Sequence, residues 1–232
     1  MTMAPSAPVS SDSVQYRKAK LWQIILVAFN AFNGMAVYFL IGLASYSASI
    51  GYGIATVVVG GLLTFTRIFD AITDPLLAFI YDRFNTRFGK VRPLMLIGWA
   101  IQTAGLLCLF NFFSSKGHGV PLFLLFYLIY VIGYTIVNMT AQTLPALMTN
   151  DPKQRPTVGV WQTVLNYLTP MALNIIVYTK LMPAFGGSFN QDFLNITTWL
   201  CVGISFVGVI LVCIGISEYD KPENFKGIKT SA

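Results

Sequence analysis

The amino-terminal part of the chain contains a long stretch without a single charged side chain, which runs from Leu21 to Thr66. It is about twice the length that one helix needs to cross the hydrocarbon core of a bilayer, and a polar, glycine-rich break divides it at Ser45 to Gly53. A soluble domain carries roughly a quarter charged residues, whereas this chain carries 10%. The stretch therefore predicts two transmembrane helices, and the composition excludes a water-soluble enzyme.

Four more apolar runs follow, each about 20 residues or longer and each bounded by charges or by proline and glycine. The sequence thus predicts an all-α membrane protein with six transmembrane helices over residues 21–217. Residues 1–20 and 218–232 form polar terminal segments outside this bundle. The predicted spans are residues 21–45, 54–81, 93–115, 120–148, 157–180 and 196–217.

Basic side chains concentrate in alternate connections, and these all fall on one side of a six-span bundle. They are Arg17, Lys18, Lys20, Arg83, Arg87, Lys90, Arg92, Lys153, Arg155, Lys221, Lys226 and Lys229. The opposite connections contain only Lys116 and Lys180. The positive-inside rule predicts that both termini are cytoplasmic, in a multi-pass protein of the plasma membrane. Binding of anionic lipid or nucleic acid is an alternative use of the clusters, but topology accounts for them and no nucleic-acid partner is expected.

Few residues are available for metal or nucleophilic chemistry. The three cysteines, Cys108, Cys201 and Cys213, lie inside apolar runs, and His118 is the single histidine. Such a set offers no metal site, and the sequence shows no serine–histidine pairing that would indicate a membrane enzyme. We expect no enzymatic activity and no cofactor.

The second span contains three charged residues, Arg67, Asp70 and Asp74. Their spacing of three, four and seven residues places them on one face of a helix, where each charge costs at least about 2.5–3.5 kcal/mol in the bilayer. Two carboxylates and one guanidinium leave one negative charge, which suits a proton or a monovalent cation. Pro75 would loosen the helix and free carbonyl oxygens. The alternative is that Arg67 neutralises one aspartate and the trio joins helices.

This region carries a family resemblance. The run from Arg67 to Pro75, followed by Asp82 and Arg83 and then by Thr86 to Pro93, resembles the second-helix and loop signature of the glycoside–pentoside–hexuronide:cation symporters. That family has the major facilitator superfamily fold. A weaker similarity extends through Tyr134 to Asn138 and Pro145. The resemblance implies that the chain corresponds to the amino-terminal six-helix bundle of such a transporter.

The resemblance also implies roles for particular residues. Asp70 and Asp74 match the cation-binding aspartates of the family, and Thr135 matches a hydroxyl ligand. The loop after the second span pins the cytoplasmic ends of helices together in the outward-facing state of these transporters. Its implied gating residues here are Asp82, Arg83, Arg87, Lys90 and Arg92.

The sequence departs from the melibiose-type members of the family at four places. They carry a Lys-Asp pair where this chain has Asn33-Gly34-Met35, an aspartate at Asn138, a tryptophan at Gln142 and an arginine near Trp161. Two acids and two bases are lost together, so charge stays balanced while the strongest sugar hydrogen bonds disappear.

The remaining polar side chains still suit a sugar-like solute, and the loss of charged groups indicates a neutral one. The candidate substrate-binding residues are Asn33, Arg67, Tyr134, Asn138, Gln142, Trp161 and Gln162, and Asn30 belongs with them. Each amide has an alternative as an interhelical hydrogen bond, and Trp161 has one as an interfacial anchor.

These observations predict a secondary symporter that moves a sugar-like solute by alternating access, driven by a cation or proton gradient. Two carboxylates make a thin shell for sodium, so a proton is favoured. Because the fold needs a second six-helix half, the chain is expected to be a truncation or to pair with another chain. The alternatives are a half-transporter, or a non-transporting membrane partner with a degenerate substrate site.

Overall fold

The computed structural model describes residues 18–84, 86, 89–114 and 118–220, apart from the side chains of Asp70, Ile80 and Asp82. The described residues form helices and their connections. In chain order the helices are α1 Leu21–Ala28, α2 Asn30–Gly42, α3 Ala44–Ile50, α4 Thr56–Arg83, α5 Val91–Leu107, α6 Gly119–Met148, α7 Arg155–Ile176, α8 Met182–Ala184 and α9 Gln191–Gly215. Single π-helical turns, Cys108–Phe112 and Val177–Leu181, extend α5 and α7.

Five helical segments of the described chain are long and apolar enough to cross a membrane. They are Leu21–Gly42, Thr56–Phe79, Val91–Phe112, Gly119–Met148 and Gln191–Gly215. Helix α7 has 22 residues but is not among these five. Its polar side chains Gln162, Asn166 and Asn174 lower its hydropathy. The chain is a helical, multi-pass membrane protein, and hydropathy alone supports five of the six predicted spans.

Two helix boundaries differ from the sequence-based expectation by about a turn. The first span continues as α3 to Ile50, after tight turns at Phe29 and Leu43, because its Ser and Ala residues do not stop a helix. The last span begins at Gln191, five residues before its expected start. The Asn190 side chain caps it by accepting a hydrogen bond of 2.8 Å from the Phe193 N–H.

Glycines bring α5 and α6 into close contact. A Cβ atom on Gly133 would lie 2.2 Å from the Gln102 backbone nitrogen, and one on Gly105 would lie 2.6 Å from the Tyr130 nitrogen. A Cβ atom on Gly208 of α9 would similarly lie 2.8 Å from the Phe29 carbonyl oxygen. Such spacing is the close backbone approach that small residues permit between transmembrane helices.

The helices α1 and α2 pack against α7 and α9, and α5 packs against α6 and α9. One apolar cluster gathers around Leu40, Phe110 and Phe193, and a second gathers around Met95 and Val212. By contrast, α4 packs mainly on α6 and leaves most of its surface exposed. Helix α6 contacts both α4 and α7, and the exposed faces of these three helices are here called the open side of the bundle.

The connection before α4 is fixed by a buried tyrosine. The Tyr52 hydroxyl donates a hydrogen bond of 3.0 Å to the Leu109 carbonyl, and its ring packs edge-on against Phe123. Burial, with a smaller contribution from Cys108, raises the pKa of the Tyr52 hydroxyl. The hydroxyl therefore remains a donor at neutral pH.

Candidate solute site and gate

A polar stripe runs along the open side of α6. Tyr134, Asn138 and Gln142 follow one another at intervals of four residues and are exposed, while Gly133 and Val137 next to this stripe are buried. Three of the residues predicted to bind substrate therefore share one helix face. The stripe spans eight residues, or about 12 Å of helix, and a cavity lies at each of its ends.

Tyrosines line the cavity at the Tyr134 end, here called the tyrosine cleft. It has a volume of about 70 Å³ and lies between α2, α4 and α6. Arg67 from α4 lines it, so the structure brings two predicted residues, Arg67 and Tyr134, together. The rings of Tyr130 and Tyr134 lie 5.8 Å apart. The remaining lining residues are Tyr38, Ile41, Tyr127, Tyr130 and Val131.

Amide side chains line the cavity at the Gln142 end, here called the amide cavity. It has a volume of about 190 Å³, and α2, α6 and α7 form its walls. Gln142 and Gln162, both predicted from the sequence, meet there with Asn30. Asn166 completes the set and was missed, although its position four residues after Gln162 on α7 places both on one helix face. The lining residues are Asn30, Ala31, Ala141, Gln142, Pro145, Gln162 and Asn166.

Asn33 lies in a different environment from the one predicted. It is only 3% exposed, and its Oδ1 accepts a hydrogen bond of 2.6 Å from Gln102 Nε2 and another from the Ser205 hydroxyl. The Trp99 indole N–H in turn donates to Ser205 Oγ at 2.9 Å. This buried network joins α2, α5 and α9, so Asn33 connects helices in this structure and lines neither the tyrosine cleft nor the amide cavity.

Two further predicted residues also lie apart from these cavities. Trp161 packs on the apolar cluster around Val158, Val212 and Met148, so its ring supports the bundle. Thr135, expected as a cation ligand, is 6% exposed on the buried side of α6. Their placement favours packing over direct solute contact in this conformation.

Two charged side chains of α4 are exposed on the open side of the bundle. The side chains of Arg67 and Asp74 are exposed, and Pro75 lies inside the helix directly after Asp74. The side chain of Asp70 lies outside the described part of the structure. Its cation-binding role remains a prediction, as does that of Asp74.

An acidic residue that the sequence analysis missed, Asp220, organises the predicted gate. It follows α9 and is fully buried. Its Oδ1 accepts hydrogen bonds from the backbone N–H groups of Lys90 and Val91 at 2.8 and 3.2 Å. Its Oδ2 accepts from the Arg92 N–H at 2.8 Å, and Arg92 Nε lies 3.4 Å away. Asp220 therefore caps the amino terminus of α5 from 128 residues away.

Gly89 leaves the room that this cap requires. Its φ of +103° favours glycine, and a Cβ there would lie 2.4 Å from Asp220 Cγ. Other predicted gate residues make local contacts: the Arg83 guanidinium lies 4.0 Å from the Phe79 ring centre, and the Lys90 ammonium lies 4.3 Å from that of Tyr81. Of the remaining predicted gate residues, Arg87 and the side chain of Asp82 lie outside the described structure.

The segment after α9 also contacts the start of α1. Gln23 Nε2 donates to Glu218 Oε2 at 2.7 Å, and the Tyr219 hydroxyl donates to Gln23 Oε1 at 2.6 Å. Lys18 and Asp151 form an ion pair of 3.7 Å. These contacts gather the start of the bundle, the α6–α7 connection and the segment after α9 at one end, here called the basic end.

Comparison with known proteins connects this arrangement to transport. A family model described as MFS/sugar transport protein matches residues 23–231. The putative glycoside/cation symporter YagG of Escherichia coli strain K12 is 29% identical over 167 residues, which are 70% of this chain and 35% of that protein. The glucuronide carrier protein homolog of the same strain is 26% identical over 191 residues, covering 81% and 40%.

A lactose permease of Lactobacillus helveticus is 24% identical over 204 residues, which are 82% of this chain and 32% of the permease. The chain thus spans about a third of the length of the curated relatives it matches and corresponds to their amino-terminal portion. The resemblance inferred from the run Arg67 to Pro75 is confirmed. Because the family model covers nearly the whole chain, this multi-pass membrane protein belongs to the MFS/sugar transport protein family.

Proposed function

We propose that the chain is the amino-terminal half of a cation- or proton-coupled symporter that moves a neutral, sugar-like solute by alternating access. One observation carries this proposal. The exposed charges of α4 lie beside the polar stripe of α6 on the same open side of the bundle, and Arg67 and Tyr134 line one cleft. By its spacing Arg67 shares a helix face with the proposed coupling residues Asp70 and Asp74, so the tyrosine cleft brings that face of α4 beside the solute-binding surface, as ion-driven transport requires.

A second six-helix half completes the transporter in this proposal, either later in the same polypeptide or in another chain. Its natural position is against the exposed faces of α4 and α7, where Ile68, Leu76, Tyr167 and Met171 are each more than half exposed. Helix α7 is then the one remaining span, the fifth in chain order, since its polar residues face the solute pathway rather than lipid. We further propose cytoplasmic termini, a plasma-membrane location and no enzymatic activity.

The coupling ion proposed is a proton, with sodium as the alternative. Asp70 and Asp74 supply the carboxylates, and Thr135 contributes at most a neutral oxygen. Sodium must lose its hydration shell on binding, and protein oxygens must replace the lost water. Two carboxylates that also interact with Arg67 would replace it poorly. A proton needs one carboxylate alone.

Uptake by the full-length protein in membrane vesicles tests the proposal. The panel contains lactose, isoprimeverose, xylose and a glucuronide, because the names of similar proteins include lactose, isoprimeverose and glucuronide carriers. Proton and sodium gradients are imposed separately. We expect uptake of a neutral member to respond to the proton gradient, and Asp70→Asn and Asp74→Asn to abolish gradient-driven uptake. Gradient-independent uptake in the unsubstituted protein, or intact ion dependence in both variants, contradicts the proposal.

A further inference from the structure

A third cavity, here called the α5–α9 groove, lies between α5 and α9 at the basic end. Its volume is about 530 Å³, against about 190 Å³ for the amide cavity, and it falls within the roughly 300–1,000 Å³ that is typical of ligand sites. The tyrosine cleft and the amide cavity are lined from α2, α4, α6 and α7. The proposed transport pathway therefore does not account for this groove.

The α5–α9 groove is apolar along its length and polar at one end. Leu96, Ile210 and Ile214 supply apolar walls, whereas Arg92 and Ser217 supply polar groups. Arg92 lies one turn before Leu96, near the start of α5, and Ser217 lies two turns after Ile210, just beyond the end of α9. Because α5 begins and α9 ends at the basic end, the two polar residues lie together there.

An aromatic pair bridges the two helices at the other end of the groove. Trp99 lies three residues after Leu96 and Phe206 lies four residues before Ile210, so each follows the groove along its own helix face. The ring centres of Trp99 and Phe206 are 5.0 Å apart. The groove is therefore a slot of limited length, with a polar mouth and an aromatic floor.

The polar mouth lies at the level of the membrane surface. Trp22, in the first turn of α1, is 48% exposed, and exposed tryptophans near the ends of spans are typical of the headgroup region. The adjacent Gln23 donates a hydrogen bond of 2.7 Å to Glu218, which directly follows Ser217. Ser217 therefore lies at headgroup depth, and the apolar walls extend from there towards the hydrocarbon core.

Arg92 places a guanidinium at this mouth. Its side chain is 29% exposed, although it also pairs with the fully buried Asp220. Lys20 and Lys90 add positive charge at the same end, against the carboxylates of Asp220 and Glu218. A guanidinium matches the geometry of phosphate oxygens, and a phosphate bound to it accepts charge-assisted hydrogen bonds.

We propose that the α5–α9 groove binds one anionic glycerophospholipid from the leaflet at the basic end. Its phosphate accepts hydrogen bonds from the Arg92 guanidinium and the Ser217 hydroxyl, and one acyl chain lies along the apolar walls. A soluble anion would leave those walls uncovered, and a hydrocarbon alone would place the guanidinium in an apolar setting. A phospholipid satisfies both ends of the groove, and this inference does not depend on which solute is transported.

Lipid binding to the full-length protein in detergent, measured by native mass spectrometry, tests the proposal. Phosphatidylglycerol and phosphatidylcholine with identical acyl chains differ in net charge. We expect the Kd for phosphatidylglycerol to be about tenfold lower, as for one hydrogen bond between charged groups. Glycerol phosphate, which has the phosphate but no acyl chain, should not displace phosphatidylglycerol at equal concentration. Equal Kd values for the two lipids, or displacement by glycerol phosphate, would overturn the proposal.

Matched substitutions on both helices locate the site. Leu96→Trp and Ile214→Trp fill the groove with a larger side chain, and each should raise the Kd for phosphatidylglycerol about tenfold. Ile97→Trp and Val207→Trp are the controls, because they lie on the same two helices outside the groove lining. All four positions are exposed, and thermal unfolding in detergent verifies that the variants fold. A Kd that is the same in groove and control variants contradicts the proposed location.

Cys213 provides a readout within the groove itself. Its thiol lines the groove and is partly exposed, so bound phosphatidylglycerol should slow its alkylation by N-ethylmaleimide several-fold. Cys108, which is also partly exposed and lies outside the groove lining, is the internal reference and should react at an unchanged rate. Unchanged alkylation of Cys213 at saturating phosphatidylglycerol would show that the lipid binds elsewhere.

Discussion

A single carboxylate determines how α5 begins. Asp220 accepts hydrogen bonds from three consecutive backbone N–H groups and also pairs with the Arg92 side chain, and all of this occurs at a fully buried position. Removing such an acceptor leaves buried donors and part of a charge unmatched. At the residue scale, therefore, Asp220 is expected to contribute more to stability than any gate residue that the sequence suggested.

We predict that Asp220→Ala lowers the free energy of unfolding by about 2–4 kcal/mol, because three buried or part-buried backbone donors lose their acceptor. The measurement is thermal unfolding of the purified protein in detergent. Asp192→Ala is the control, since Asp192 is exposed in the first turn of α9 and its interaction with the helix dipole is worth about 1 kcal/mol or less. An equal loss of unfolding free energy in the two variants would show that the Asp220 cap stabilises the protein no more than an exposed carboxylate does.

Sequence reasoning identified part of the candidate site. Gln142 and Gln162 were recognisable because amides are uncommon within transmembrane helices, and they do meet in one cavity. Asn33 has the same residue type but faces Gln102, which the sequence cannot reveal because helix rotation depends on packing. Asp220 was missed because its partners lie about 130 residues earlier in the chain.

At the scale of helices, the contact between α5 and α6 depends on positions where no side chain fits. We predict that Gly133→Leu destabilises the bundle by about 3 kcal/mol or more, because the new side chain would overlap the Gln102 backbone and separate the helices. Gly203→Leu is the control, since no atom within 4 Å would meet a Cβ at that position. The amount of folded protein recovered after heating in detergent distinguishes them, and similar recovery would contradict this packing.

Hydropathy located the apolar runs but could not define all helix ends, and it did not identify α7 as a membrane span. The cap at Asn190 and the continuation of the first span to Ile50 depend on local hydrogen bonds rather than on apolar content. Helix α7 is less apolar than the other spans because it contains polar residues such as Gln162 and Asn166. Both of these residues line the amide cavity. The same residues that lower the hydropathy of this span mark the face that lines the amide cavity.

At the scale of the whole molecule, the chain has a basic end and an opposite end. We predict that a membrane-impermeant thiol reagent applied to intact cells labels His118→Cys but not Lys153→Cys, because the positive-inside rule places the basic end in the cytoplasm. Both residues are exposed, so accessibility within the protein does not distinguish them. The unsubstituted chain is the background control, since Cys108, Cys201 and Cys213 lie within helices. Labelling of Lys153→Cys but not of His118→Cys would show that the protein has the opposite orientation in the membrane.

The position of Asp220 also has a consequence for biosynthesis. A ribosome makes the amino terminus of α5 long before it makes Asp220, and α6, α7 and α9 are synthesised in between. During that interval the Asp220 carboxylate is not yet available to the N–H groups of Lys90, Val91 and Arg92. The capped start of α5 therefore reaches its final form only after α9 has been synthesised. Formation of this cap requires that every helix from α1 to α9 has been made.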